Sequence, residues 1–155
     1  MTIRLAFSED FEEITDVWEA SVTATHDFLS REDIANLREK IRHEYLSLVH
    51  LVVQTDEQGR IQGFVGVADQ KIEMLFIRPE LRGLGIGRVL LQFAVSEMGA
   101  TLVDVNEQNP RAIGFYERMG FRVFGRSPLD GQGRPFPLLH MQVSKVKLGL
   151  PNHAA

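Results

Sequence analysis

The sequence predicts a single α/β domain of the α+β kind: one mixed, mostly antiparallel central sheet with helices on both faces. Three observations predict it. Stretches of strand-like alternation and of helical periodicity follow one another in the order β-α-α-β-β-β-α-β-α-β-β. A glycine-rich turn, Arg82-Gly83-Leu84-Gly85-Ile86-Gly87, joins an apolar strand directly to an apolar-periodic helix. A chain of 155 residues, 44% hydrophobic and 25% charged, is long enough for one domain with a real core.

The elements follow in order. Thr2 to Phe7 alternates Ile3, Leu5 and Phe7, which predicts a first strand. Asp10 with Glu13 resembles a capping box, and Ile14, Val17, Trp18 and Val22 mark one face of the helix behind it. Ser30 with Asp33 opens a second helix, with Ile34, Leu37, Ile41 and Tyr45 on one side. Leu51 to Val53 is a strand, Asp56-Glu57-Gln58-Gly59 a turn, and Ile61 to Ala68 the returning strand of a hairpin. A further strand covers Lys71 to Ile77, and the helix after the glycine turn runs to about Met98. Thr101 to Val105 reads as a buried strand. Pro110 suits the first position of a helix that ends near Gly120. Phe121 to Gly125 and Leu138 to Val143 are the last strands, with a mobile turn at Asp130-Gly131-Gln132-Gly133 between them. The domain is expected over residues 1–148, and 149–155 as a flexible tail.

Composition narrows the function. A net charge of −4 argues against a general nucleic-acid binder and slightly favours a cationic partner. No apolar run reaches the ~18–20 residues that span a bilayer, and the N-terminus lacks a signal-type pattern. The chain has no cysteine, so disulfides, a thiolate nucleophile and cysteine-based metal sites are out of reach. Together these features predict a cytoplasmic protein without membrane attachment; they leave the oligomeric state, monomer or homodimer, open. His43, His50, His140 and His153 show no metal-ligand spacing, and no metal is expected.

The glycine turn is the strongest local signal. A strand that enters a helix through glycines exposes backbone N–H groups at a helix N-terminus, where the dipole favours an anion. Glycine lets a phosphate approach the backbone. The spacing fits neither the dinucleotide fingerprint nor the nucleoside-triphosphate loop: Gly87 is followed by Arg88-Val89. The residues alone leave two readings, a tight turn without ligand and a phosphate or pyrophosphate site.

A second segment adds to the first. Arg82-x-x-Gly85-x-Gly87, after Phe76-Ile77-Arg78-Pro79, is followed by Asn109-x-x-Ala112-x-x-Phe115-Tyr116-Glu117-x-x-Gly120-Phe121. In this order and spacing the two segments resemble the GNAT superfamily of acyl-CoA-dependent N-acetyltransferases. The likeness extends over most of the chain, and Thr25-His26-Asp27-Phe28-Leu29 resembles one bacterial subgroup of small members. The resemblance implies that the strands at 71–77 and 101–105 splay apart and that acetyl-CoA lies in the opening. Leu75, Phe76 and Ile77 would offer a strand edge to its pantetheine arm. Backbone N–H groups of Gly83, Leu84, Gly85, Ile86, Gly87 and Arg88 would hold the pyrophosphate, with Arg82 adding charge. Asn109 would either bond the pantetheine or cap the helix that starts at Pro110.

Acetyl transfer to an amine needs two proton movements. An alkyl amine of pKa near ~10.4 is neutral only about once in a few thousand molecules at pH 7, a penalty of roughly 4–5 kcal/mol. A general base removes that proton, and the leaving thiolate needs a proton donor. By the resemblance Tyr116 is the donor, and Glu73, on the strand before the glycine turn, is the base. On an alternating strand Glu73 leaves the face shared by Ile72 and Met74, and an apolar cleft around it would make it a better base. His26 competes for that role or lines the acceptor pocket with Phe28, and a water chain is a third possibility. The expected function is N-acetyl transfer from acetyl-CoA to a small amine or a protein lysine by direct attack, since no cysteine can carry the acyl group. The alternatives are a non-catalytic acyl-CoA sensing module and a plain interaction domain.

Overall fold

The two periodicities of the sequence sort its side chains onto the two faces of one sheet. A computed structural model of the chain describes residues 1–25 and 29–144. The first half comprises β1 (Thr2–Leu5), α1 (Phe11–Thr25), α2 (Arg31–Lys40), β2 (His50–Thr55), β3 (Ile61–Ala68) and β4 (Lys71–Ile77). The second comprises α3 (Ile86–Met98), β5 (Leu102–Asn106), α4 (Pro110–Arg118), β6 (Arg122–Ser127) and β7 (Leu138–Gln142). This is the expected order. The strands form one sheet in the order β1-β2-β3-β4-β5-β7-β6, antiparallel throughout except for β4 beside β5. Among the described residues no helix is long and apolar enough to cross a membrane. The expected tail lies outside the described residues.

Two hydrophobic clusters flank the sheet. Val52, Val65, Val67, Val103, Val105 and Met141 face α3 and α4, where Leu90, Leu91 and Ala94 are fully buried. Leu51, Val53 and Phe64 face the other way and meet Ile14, Val17 and Trp18 of α1. Leu51, Val52 and Val53 thus alternate between clusters, as period two requires.

The structure departs from the sequence reading in four places. Asp10 does not cap α1 with Glu13. Its carboxylate accepts the Phe7 N–H at 2.7 Å and two Arg4 N–H groups at 2.7 and 3.0 Å. Glu13 instead accepts the Ile61 N–H at 2.8 Å and pairs with Arg78 at 3.4 Å, which ties α1 to β3 and to the end of β4. The second helix keeps its capping box at Ser30 and Asp33 but ends in a π turn, Ile41–Tyr45. There the Leu46 N–H reaches back to the Ile41 carbonyl, so Leu46 follows Ile41 into the core.

The third departure is a β-bulge. Gly66 pairs with Met74 and Val67 with Ile72, which leaves Glu73 as the extra residue of β4. Ile72 and Met74 therefore do not share a face: Ile72 joins the α3 cluster and Met74 the α1 cluster. The fourth is the turn at residues 130–133. The Asp130 side chain accepts the N–H groups of Gln132 and Arg134 at 2.9 and 2.8 Å, and its backbone bonds Gly133 and Arg134. The turn lies where expected, and the Asp130 side chain rather than its glycines alone closes it.

Leu90 tests the larger core. Leu90→Ala removes a fully buried side chain, so urea unfolding should show a loss of about 2–5 kcal/mol.

Candidate active site

The parallel pairing of β4 with β5 covers two positions, Lys71 with Leu102 and Ile72 with Val103. Beyond them β4 runs on to Ile77 and β5 to Asn106 without partnering each other. The strands part as expected, and the opening separates two cavities on opposite sides of β4.

The first cavity, about 470 Å³, lies at the glycine turn. A short 3₁₀ turn, Pro79–Leu81, carries the chain from β4 to Arg82. Gly83 and Gly85 have φ of 81° and 86°, a region in which a Cβ is strained, so both positions require glycine. Gly85 stands at the N-cap of α3 and offers no side-chain cap. The N–H groups of Ile86, Gly87 and Arg88 at the start of α3 thus have no intrahelical acceptor. Arg82 adds charge: burial, then the neighbouring Arg111 cation, pulls its guanidinium below its ordinary value. Arg82 forms no ion pair among the described residues, and there its guanidinium makes one long hydrogen bond, to Ser21 at 3.5 Å. Donors from a helix N-terminus beside cations without carboxylates make a site that fits a diphosphate.

Ile77, Arg82, Gly83, Gly85, Ile86, Gly87 and Arg88 come together in this cavity. Leu84 stands at the apex of the turn, 69% exposed. Leu75 leans on the α3 cluster and Phe76 on the α1 cluster. The sequence reading missed the far wall, which α4 supplies through Phe115 and Arg118. Their i, i+3 spacing in the last turn of α4 was the available signal.

Asn109 caps α4. Its Oδ1 accepts the Ala112 N–H at 3.1 Å, which leaves the Nδ2 donors free for another partner. Tyr116 is 7% exposed and packs edge-on against Phe115 and Phe121, with centroids 5.1 and 5.4 Å away. Burial pushes its phenol up, so it stays protonated at physiological pH. The buried side-chain atom left without a partner among the described residues is Gln54 Oε1 and not the Tyr116 hydroxyl. Among the described residues none bonds that hydroxyl, so it retains contact with the space outside the core.

The second cavity, about 460 Å³, opens on the α1 side of the sheet. Trp18, Tyr45, Met74 and Phe76 give it apolar walls, and among the described residues Glu73 is its one carboxylate. The bulge turns Glu73 toward this side next to Met74, and its side chain is exposed rather than enclosed. His26 and Phe28 lie outside the described residues. Among the described residues no group of His, Asp and Glu could hold a metal.

The chain is similar to known proteins in sequence and in fold. Residues 14–144 match the acetyltransferase (GNAT) domain family. The peptidyl-lysine N-acetyltransferase YjaB of Escherichia coli (strain K12) is 42% identical over 141 residues, 91% of this chain and 95% of that protein. The solution structure of apo YjaB from Escherichia coli superposes with a TM-score of 0.79 over the same shares of the two chains, at 42% identity. The PaiA N-acetyltransferase of Thermoplasma acidophilum, crystallised with coenzyme A, shares the fold: TM-score 0.72 and 22% identity over 93% of this chain and all of that one.

Arg118 is exposed at the mouth of the first cavity, so its removal should spare the fold. Arg118→Ala should raise the Kd for coenzyme A about tenfold or more, the worth of one charge-assisted bond, when measured by calorimetry.

Proposed function

The chain belongs to the GNAT family of acetyltransferases and is an acetyl-CoA-dependent N-acetyltransferase; from that premise we propose that its acceptor is the side-chain amine of a lysine in a protein or peptide, attacking directly. One observation carries the reading beyond the family. The cavity on the α1 side pairs apolar walls with a single carboxylate at its rim. A lysine side chain has the same two parts, an apolar stem and an ammonium head. The 42% identity to a peptidyl-lysine N-acetyltransferase supports the same acceptor.

Acetyl-CoA supplies an activated thioester. The glycine turn from Gly83 to Arg88 holds its pyrophosphate, with Arg82 and Arg118 as counter-charges. Asn109 Nδ2 donates to a pantetheine carbonyl while Oδ1 keeps its cap. The unpaired edge of β4 from Leu75 to Ile77 meets the pantetheine amides. Trp18, Met74 and Phe76 exclude water from the lysine stem.

Glu73 draws the ammonium to the opening between the strands and takes its first proton. The freed nitrogen forms the new C–N bond as the C–S bond breaks. Tyr116 donates a proton to the departing sulfur and recovers one from the second N–H of the acylated nitrogen, so that coenzyme A leaves as the thiol. A phenol that burial keeps protonated is an apt donor here, because the same apolar surroundings raise the basicity of a thiolate.

Lysine peptides incubated with labelled acetyl-CoA and read by mass spectrometry test the reading. Tyr116→Phe should lower kcat about a hundredfold while the Kd for coenzyme A stays unchanged. Glu73→Gln should raise KM for lysine peptides and lower kcat as well. Coenzyme A binding without transfer to any amine would overturn the proposal in favour of a sensing module.

A further inference from the structure

Outside both cavities a chain of polar side chains crosses the sheet on the α1 side. Lys71 Nζ donates to Asp104 Oδ2 at 2.8 Å. Asp104 Oδ1 accepts from His140 Nδ1 at 2.6 Å, and His140 Nε2 meets the Ser127 hydroxyl, also at 2.6 Å. The four residues come from β4, β5, β7 and β6. Val103, Val105 and Met141 turn into the α3 cluster, so the intervening Asp104 and His140 face the opposite side. Burial alone would raise the Asp104 carboxyl, but the hydrogen bonds from Lys71 and His140 outweigh it and hold the carboxyl below its ordinary value. Asp104 is thus an ionised acceptor, and the imidazole behind it fixes its orientation.

The position of Lys71 gives the chain a function. Lys71 is in the last two rungs before β4 and β5 part. Glu73 is two residues further on, on the same side of the strand, near enough for its charge to act on the Lys71 ammonium. A flexible four-carbon stem carries that ammonium. Lys71 is therefore an amine of the chain itself within reach of the carboxylate proposed to receive the acceptor ammonium. Its side chain is 36% exposed, so it is held by its bonds rather than by packing.

We propose that Lys71 is an intramolecular acetylation site, a built-in competitor for the acceptor position that Asp104, braced by His140 and Ser127, holds in reserve. The proposal rests on amine acetylation at the opening between β4 and β5. Released from Asp104, Lys71 swings toward Glu73. Two protons leave its ammonium, one to Glu73 and then to solvent, the other to the departing sulfur. Nζ bonds the acetyl carbon, the C–S bond breaks, and free coenzyme A departs. The product is a neutral acetyl-lysine lying across the acceptor cavity, which slows transfer to other amines.

The test incubates the protein alone with acetyl-CoA and follows acetylation of Lys71 by peptide mass spectrometry. Asp104→Asn should acetylate Lys71 about tenfold to a hundredfold faster than the unaltered protein, the worth of a charge-assisted hydrogen bond. His140→Gln, which leaves the carboxylate in place, should give a smaller increase in the same direction. The first-order rate constant should not depend on protein concentration. In parallel, Lys71→Arg with Asp104→Asn should keep transferring to lysine peptides after preincubation with acetyl-CoA, whereas Asp104→Asn alone should lose that activity. Unchanged Lys71 acetylation in both single variants, in protein that still acetylates lysine peptides, would overturn the inference and leave the proposed function standing. A rate that rises with protein concentration would also overturn it, since the transfer would then be between molecules. Failure of the unaltered protein to acetylate any peptide would overturn both readings.

Discussion

Two rungs of parallel ladder, Lys71 with Leu102 and Ile72 with Val103, hold the two halves of the sheet together. Almost every feature of the site follows from how short this ladder is. Were the pairing continued to Ile77, β4 would have no free edge and the interior no opening. Because it stops, a strand in the middle of a sheet carries unpaired backbone groups, which need a partner from outside the chain. The bulge at Glu73 comes immediately after the last rung. It also reassigns the faces, so that Ile72 stays with the α3 core while Glu73 and Met74 turn to the α1 side. One irregularity thus follows the end of the ladder and sets a carboxylate at the cavity on the α1 side.

The charges are divided by the sheet in the same way. On the α3 and α4 side, backbone donors and arginines gather around the glycine turn without carboxylates, and Arg82 is destabilised as a cation by burial and by Arg111. On the α1 side, Glu73 lines the cavity and Asp104 is held ionised close to the point where the strands part. The two signs of charge thus lie on opposite sides of one strand, the arrangement that the proposed placement of cosubstrate and acceptor calls for. The small net charge of −4 conceals this separation.

Several residues serve packing and chemistry together. Asn109 gives its oxygen to the start of α4 and keeps its nitrogen available. Tyr116 anchors its ring between Phe115 and Phe121 while its hydroxyl stays unbonded. In sequence an Asn before a helix-starting proline reads as either a cap or a cofactor donor, yet its amide carries an acceptor and two donors. The structure separates its acceptor from its donors.

The sequence alone determined the element order, the glycine turn and the Asn109–Tyr116 segment, because each rests on local chemistry: residue periodicity, glycine at positive φ, a proline-started helix. It also carried the family likeness that the comparisons bear out. Only the tertiary structure decided which faces Ile72 and Met74 occupy, that Glu13 ties α1 to β3 and Arg78 instead of capping a helix, and that Arg118 joins the glycine turn. The same holds for the chain from Lys71 through Asp104 and His140 to Ser127, whose members are separated by 13 to 36 positions along the sequence. Such contacts depend on strand register, and a single bulged residue shifts register without leaving a periodic trace.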